Sequence, residues 1–153
     1  MRWIPILAVA WTATLAGPAA APGRTPDTGA EPAAACPFCH LAEEEIVAVD
    51  GPCVAVRDAH PASPGHTLIV PRRHVSSFRD LSAEEAAAVD RLARRLAAEL
   101  QMADPTITGF NYGTNDGADA GQTVPHCHFH LIPRRAGDVP DPRGGIRKAI
   151  SAR

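Results

Sequence analysis

Hydrophobic positions along the chain fall into short runs at one end and a long period at the other. Ile46-Val47-Ala48-Val49 and Val54-Ala55-Val56 flank Asp50-Gly51-Pro52, the pattern of a hairpin. Thr67 to Val70 forms a third apolar run, entered through Pro64-Gly65 and stopped by Pro71. From Ser82 to about Met102 the period lengthens. Val89, Leu92, Leu96 and Leu100 recur on one helical face, with Asp90, Arg91, Arg94, Arg95 and Glu99 off it. Ser82 and Glu85 have the spacing of a capping box, and Asp104-Pro105 ends the helix. Thr106 to Tyr112 predicts a fourth strand. A glycine-bearing loop runs from Asn115-Asp116-Gly117 to Gly121, and Val124 to Ile132 predicts a fifth strand closed by Pro133. Strands grouped around one main helix predict an α+β domain on an antiparallel sheet.

The 153 residues suit one domain, and a 45% apolar content is enough for a packed core. Aromatic residues are only 5%, so that core rests on Ala, Val, Leu and Ile. A formal net charge of −2 excludes a general nucleic-acid binder. The 15 prolines and 12 glycines follow no collagen-like period, and no repeat of solenoid length occurs.

Composition divides the chain into three parts. Residues 1–35 are a signal-peptide-like segment and a flexible linker: Arg2, an apolar run from Ile4 to Ala16, then Ala19-Ala20-Ala21 as a cleavage pattern. This predicts an exported or periplasmic protein with no stable membrane anchor once the signal is removed. The alternative is an Ala/Pro-rich tail on a cytoplasmic protein. Residues 36–138 are the folded domain, and 139–153 a basic, Gly/Pro-rich tail expected to be solvated.

Side chains alternate faces along a strand. His126, His128 and His130 therefore share one face of the fifth strand, and Cys127, Phe129 and Leu131 share the core face. Three imidazoles in a row suit either metal ligation or nucleophilic attack on phosphorus. The loop from Gly117 to Thr123 favours phosphate, because its glycines expose backbone N–H groups beside the row.

The segment from Ala120 to Arg134, with H-x-H-x-H followed by Leu131-Ile132, resembles the histidine-triad (HIT) superfamily. Pro64-Gly65-His66-Thr67-Leu68-Ile69-Val70-Pro71 is a second matching block. Phe78-Arg79-Asp80-Leu81 and Arg134 to Asp138 look most like the Fhit-type branch, whose members hydrolyse dinucleoside polyphosphates. The resemblance implies the HIT fold, a five-stranded antiparallel sheet with one main helix and a short helix, assembled as a homodimer.

It also implies roles. His128 would be the nucleophile that forms a nucleotidyl-histidine, and water would release a nucleoside monophosphate. His130 would hydrogen-bond a phosphate oxygen, and His66 would complete the relay. Gln122 and Thr123 would contact the phosphates, Asn115 the α-phosphate and ribose, and Asp58 the ribose hydroxyls. The implied mechanism needs no cofactor. With the triad on a solvent-facing strand, His128→Ala is expected to remove turnover and leave folding intact.

Cys36-Pro37-Phe38-Cys39-His40 matches a haem-attachment motif, a disulfide pair or half a zinc site. Relatives with C-x-x-C at the domain start complete a structural zinc with two histidines. Here the matching positions are His74 and His126. Cys53 and Cys127 are expected as buried apolar residues, and His40 and His60 have no motif role. The expected activity is hydrolysis of a dinucleoside polyphosphate at the α-phosphate. Alternatives are hydrolysis of a nucleoside phosphoramidate or other AMP conjugate, nucleotidyl transfer, or a nucleotide-binding regulator with negligible turnover.

Overall fold

The computed structural model describes residues 33–150. The signal-peptide reading lies outside the described residues. Five strands, β1 (Ile46–Asp50), β2 (Cys53–Arg57), β3 (Thr67–Pro71), β4 (Ile107–Gly113) and β5 (Phe129–Arg135), form one sheet in the order β1-β2-β3-β5-β4. Every neighbouring pair is antiparallel. The long helix α1 spans Ala83–Ala103, and the remaining helical elements are short 3₁₀ turns.

One face of the sheet is covered by α1. Cys53, Ala55, Ile69 and Leu131 meet Ala88, Val89, Leu92, Ala93 and Leu96 there. Each fully buried Leu or Val contributes about 1.5–3 kcal/mol. Ser82 caps the helix as its spacing predicts: its hydroxyl accepts the Glu85 N–H, and the Glu85 carboxylate accepts the Ser82 N–H. Arg91 pairs with Asp50, which fastens the helix across β1. On the opposite face Val54, Val56, Leu68 and Val70 pack under Phe38, Leu41 and Ile46. Burial on both faces explains why β2 and β3 read as continuous apolar runs rather than alternating ones.

The fifth strand differs from expectation at both ends. It begins at Phe129, not Val124, and runs through Pro133 to Arg135. Pro125 has no N–H, the His126 N–H turns back onto Val124 O (2.8 Å), and the Cys127 N–H goes to Val75 O (2.6 Å). No ladder can form over those residues. Pro133 is tolerated because its carbonyl edge faces away from β4, where the Ser63 hydroxyl donates to it. Pairing with β3 extends only to Leu131, so the missing N–H breaks no ladder bond. The described part of the tail is mostly exposed, with a 3₁₀ turn at Gly145–Ile150 that brings Ile146 near Gly113.

Gly65 needs its glycine. Its φ is +91°, and a Cβ would sit 3.1 Å from Pro133 Cγ and 3.3 Å from a Leu100 methyl. This tight turn delivers His66 to the start of β3.

Candidate active site

The triad is more buried than a solvent-facing strand implies. His126 is fully buried, His128 is 4% exposed, and His130 is half-buried. The cause is Phe38, whose ring lies 5.8 Å from that of His126 and 5.2 Å from that of His128. Truncating His128 to alanine would therefore open a void as well as remove a nitrogen.

Hydrogen-bond partners assign a tautomer to each ring. The His128 Nδ1–H donates to the carbonyl of His126 at 2.7 Å, so its Nε2 carries the lone pair. Thr114 Oγ donates to His128 O at 2.7 Å and holds the residue from the β4 side. The Ala62 N–H donates to His66 Nδ1 at 3.1 Å, so the proton of His66 is on Nε2, 3.0 Å from His130 Nδ1. His130 is left with a proton on Nε2, a buried donor with no partner among the described residues. A free nucleophilic nitrogen thus lies beside a free N–H, with ring centroids 5.1 Å apart. This pairing can attack an electrophilic phosphorus and at once bind one of its oxygens.

Asp58 sits beneath this pair, with Oδ2 3.3 Å from His66 Nδ1 and 3.9 Å from His130 Nδ1. Burial lowers the pKa of His66, and the nearby Asp58 charge opposes that shift. Burial, with the neighbouring His128 and His66, pushes His130 down to about 4, again against Asp58. Both rings are neutral at pH 7.

The triad opens into a cavity of about 540 Å³. Phe38, Leu41, Val56 and Leu68 supply apolar walls, and Asp58, Thr123, His128 and His130 the polar ones. Asn115 lies elsewhere, in a second hollow of about 300 Å³ with His66, His130, Ile132 and Ile146. Gln122 faces neither. Its amide oxygen accepts the Gly117 N–H (2.7 Å) and its amide nitrogen donates to Ser76 O (2.8 Å), so it braces the glycine loop. The left-handed Gly121 (φ +86°) closes that loop. Sequence reasoning missed Phe38 and Thr114. An aromatic residue inside an otherwise metal-like C-x-x-C was a usable signal for the first; Thr114 offered none.

Behind the triad, Cys36, Cys39, His74 and His126 converge, with all four donor atoms within 4.8 Å of one another. Cys36 Sγ is 3.3 Å and Cys39 Sγ 3.6 Å from His126 Nδ1, and Cys39 Sγ is 3.2 Å from His74 Nδ1. Sulfur and nitrogen ligands of a tetrahedral zinc lie about 3.5 Å apart, so this set fits that ion. The His126 Nε2–H donates to Pro71 O at 2.9 Å, which turns the Nδ1 lone pair toward the thiols. Burial lowers the pKa of His126, in keeping with a neutral ligand. His40, the residue a haem motif would use, is exposed and lies outside this four-donor cluster. Cys53 and Cys127 are buried as expected, and burial pushes their thiols up to about 11 and about 12.

A sheet of this order with a buried H-x-H-x-H beside a glycine loop defines a HIT domain, and the HIT domain family model matches residues 41–137. The chain belongs to the HIT family. It is 36% identical over 103 residues to an uncharacterised HIT-like protein of Mycoplasma genitalium, covering 65% of this chain and 72% of that one. It is 37% identical over 84 residues to the bifunctional bis(5'-adenosyl)-triphosphatase/adenylylsulfatase of Arabidopsis thaliana, covering 55% of this chain and 46% of that one. Among solved structures, a zinc-bound histidine triad family protein from Mycobacterium smegmatis superposes with a TM-score of 0.62 at 29% identity, covering 78% of this chain and 95% of the other.

Proposed function

We propose that the protein is a nucleotide hydrolase that cleaves a dinucleoside polyphosphate at the α-phosphate. The observation that carries this reading is the tautomer pair: His128 Nε2 is an unprotonated nitrogen beside the unpartnered His130 Nε2–H. His128 Nε2 attacks the α-phosphorus, the phosphorus–oxygen bond to the leaving polyphosphate breaks, and a nucleotidyl-histidine forms. The His130 N–H stabilises the non-bridging oxygen as charge builds. Water then adds to phosphorus, the nitrogen–phosphorus bond breaks, and a nucleoside monophosphate leaves. The apolar walls at Phe38, Leu41, Val56 and Leu68 suit a base, and Asp58 a ribose. The Arabidopsis relative's name, with both a triphosphatase and an adenylylsulfatase activity, supports this substrate class and keeps AMP conjugates as a second reading.

Cys36, Cys39, His74 and His126 would hold a structural zinc, which contributes folding energy when bound. The protein would act as a homodimer, with the free edge of β4 and the exposed Tyr112 as the joining surface. The test is hydrolysis of diadenosine polyphosphates against an AMP phosphoramidate, with a His128 variant alongside. Turnover of the first, lost in the variant, is expected. Nucleotide binding without turnover by the unaltered protein would replace the hydrolase with a binding regulator.

A further inference from the structure

The larger cavity runs across the sheet rather than along it. Val47 on β1, Val56 on β2, Leu68 on β3 and His130 on β5 all border it, and these strands are consecutive neighbours. Three steps of about 4.8 Å make its length about 14 Å. That is the reach of an extended nucleoside monophosphate from phosphorus to the far edge of its base, with one hydrogen bond beyond. The nucleophile stands at one end: His128 is 4% exposed, and its Nε2 has no partner among the described residues. Asp58 follows directly on β2, between the two ends, where the ribose reading puts the sugar.

The other end is made by β1 and the turn Glu43–Glu45 that leads into it. The side chains they offer to the cavity are Glu44, Glu45 and Val47, so every hydrogen-bonding group there is a carboxylate, an acceptor only. Glu45 is held in place, since its Oε2 accepts the Ala42 N–H at 2.8 Å, and its Oε1 is left over. Glu44 has no hydrogen bond or ion pair among the described residues. Arg57 borders the cavity too, but its guanidinium is drawn to Thr67 Oγ1 (2.6 Å) and Gly65 O (3.2 Å). Carboxylates would repel a phosphate close by. At the far end of the cavity they lie beyond the ~8 Å screening length of physiological salt, so an anion at one end tolerates acids at the other.

A base edge that meets only acceptors must carry donors. Guanine presents two side by side, the N1–H and the exocyclic N2 amino group, spaced for carboxylate oxygens. Adenine and cytosine set a ring-nitrogen acceptor beside their amino group, and uracil sets a carbonyl on each side of its N–H. Each of these points a lone pair at a carboxylate. We propose that this cavity selects guanine, with Glu44 and Glu45 accepting from N1–H and the N2 amino group. The proposal rests on the nucleotide reading above and names the nucleoside: a guanosine 5′-phosphoryl compound is taken in preference to its adenosine counterpart. Both carboxylates are exposed at the rim, so the preference is about tenfold rather than absolute.

Inosine is guanosine without the N2 amino group, so the two isolate one donor. The test compares kcat/KM of the full chain on diguanosine, diinosine and diadenosine polyphosphates of equal length, alongside equilibrium binding of GMP, IMP and AMP. Guanosine should exceed both others about tenfold, mostly through KM. Guanosine equal to or below inosine overturns the proposal, and that comparison needs no variant. Glu44→Gln should reduce the guanosine-to-inosine ratio about threefold, and Glu44→Gln with Glu45→Gln should bring it near one. A glutamine at 45 still accepts the Ala42 N–H through its amide oxygen, so the turn is kept. A ratio unchanged in the double variant overturns the proposal. The hydrolase reading fails separately. Tighter GMP binding without turnover of any dinucleotide sustains the guanine site and removes the hydrolase. Equal turnover of all three removes the guanine site and leaves the hydrolase, and neither binding nor turnover removes both.

Discussion

His126 and His130 lie two residues either side of His128, carry the same imidazole, and point to the same face of the chain. They nevertheless belong to different chemistries. His126 is fully buried and faces two thiols and a second imidazole, soft donors arranged for an ion. His130 is half-buried; its Nδ1 accepts from the His66 Nε2–H, and the Asp58 carboxylate lies nearby as a charge, a setting arranged for a proton. Burial lowers the pKa of both. The difference lies in the nitrogen left over: on His126 a lone pair aimed at the thiols, on His130 an N–H with no partner among the described residues. Partners, rather than residue type or spacing, divide one motif into a metal side and a phosphate side, with the nucleophile between them.

The largest effect should come from removing the residue both sides serve. Because His128 is buried, alanine confounds chemistry with a void. Asparagine is the cleaner change: its amide N–H can still donate to His126 O, but it has no nitrogen lone pair at the Nε2 position. Turnover of a diadenosine polyphosphate by His128→Asn should fall by about 10⁴-fold or more, with nucleotide still bound. Activity within tenfold of the parent would remove His128 from the mechanism.

On the metal side, Cys36→Ser should abolish stoichiometric zinc and lower stability by about 3 kcal/mol or more, seen as a lower melting temperature. Normal zinc content and an unchanged melting curve would refute the ligand set. On the phosphate side the change is milder. Asp58→Asn keeps the shape but removes the charge next to His66. It should raise KM about tenfold for a ribonucleotide substrate and far less for an analogue lacking both ribose hydroxyls. An equal rise for both would assign Asp58 to the His66–His130 pair rather than to ribose.

These expectations show what was legible in the residues and what was not. The helix, its capping box and the sheet were, because hydrophobic period and Ser82–Glu85 spacing are local signals. The four zinc-type donors were also named, although His74 and Cys39 are far apart in the chain and only the resemblance linked them. The start of β5 was not. Alternation of side chains persists through His126 and His128, but Pro125 and the bond from Cys127 to Val75 remove the ladder, and period alone cannot register an absent ladder. The bonds of Gln122 to Gly117 and Ser76 were not legible either, since its chain position does not say where its amide turns. Phe38 has no role legible in the sequence, because its contact with His128 exists only once the chain has folded over the sheet.

The smallest effect tests how the metal side is supported. Arg73, next to His74, donates through Nε (3.0 Å) and a terminal nitrogen (2.7 Å) to the buried Glu85 carboxylate at the start of α1. That Arg73 pair, with the Ser82 cap, holds Glu85 down at about 2. The folded value is below that of an unfolded glutamate, so the stabilisation is complete above about pH 4.5 and is lost as pH falls toward 2. Arg73 is 53% exposed, so solvent screening reduces the contribution to about 1–2 kcal/mol. Glu85→Gln should therefore cost about 1–2 kcal/mol at pH 7, and the gap to the parent should close between pH 4.5 and 2 in denaturant titrations. Since the ion pair anchors the residue before His74, the variant should also hold zinc several-fold less tightly in a chelator competition. The proton on His66 Nε2 should be unmoved, because nothing in that chain of bonds touches the β3–α1 connection. A zinc affinity equal to the parent's would make the ion pair a prop for the helix alone. A shift on His66 instead would mean that the two sides of the triad are not independent, and that the division drawn between ion and proton is too sharp.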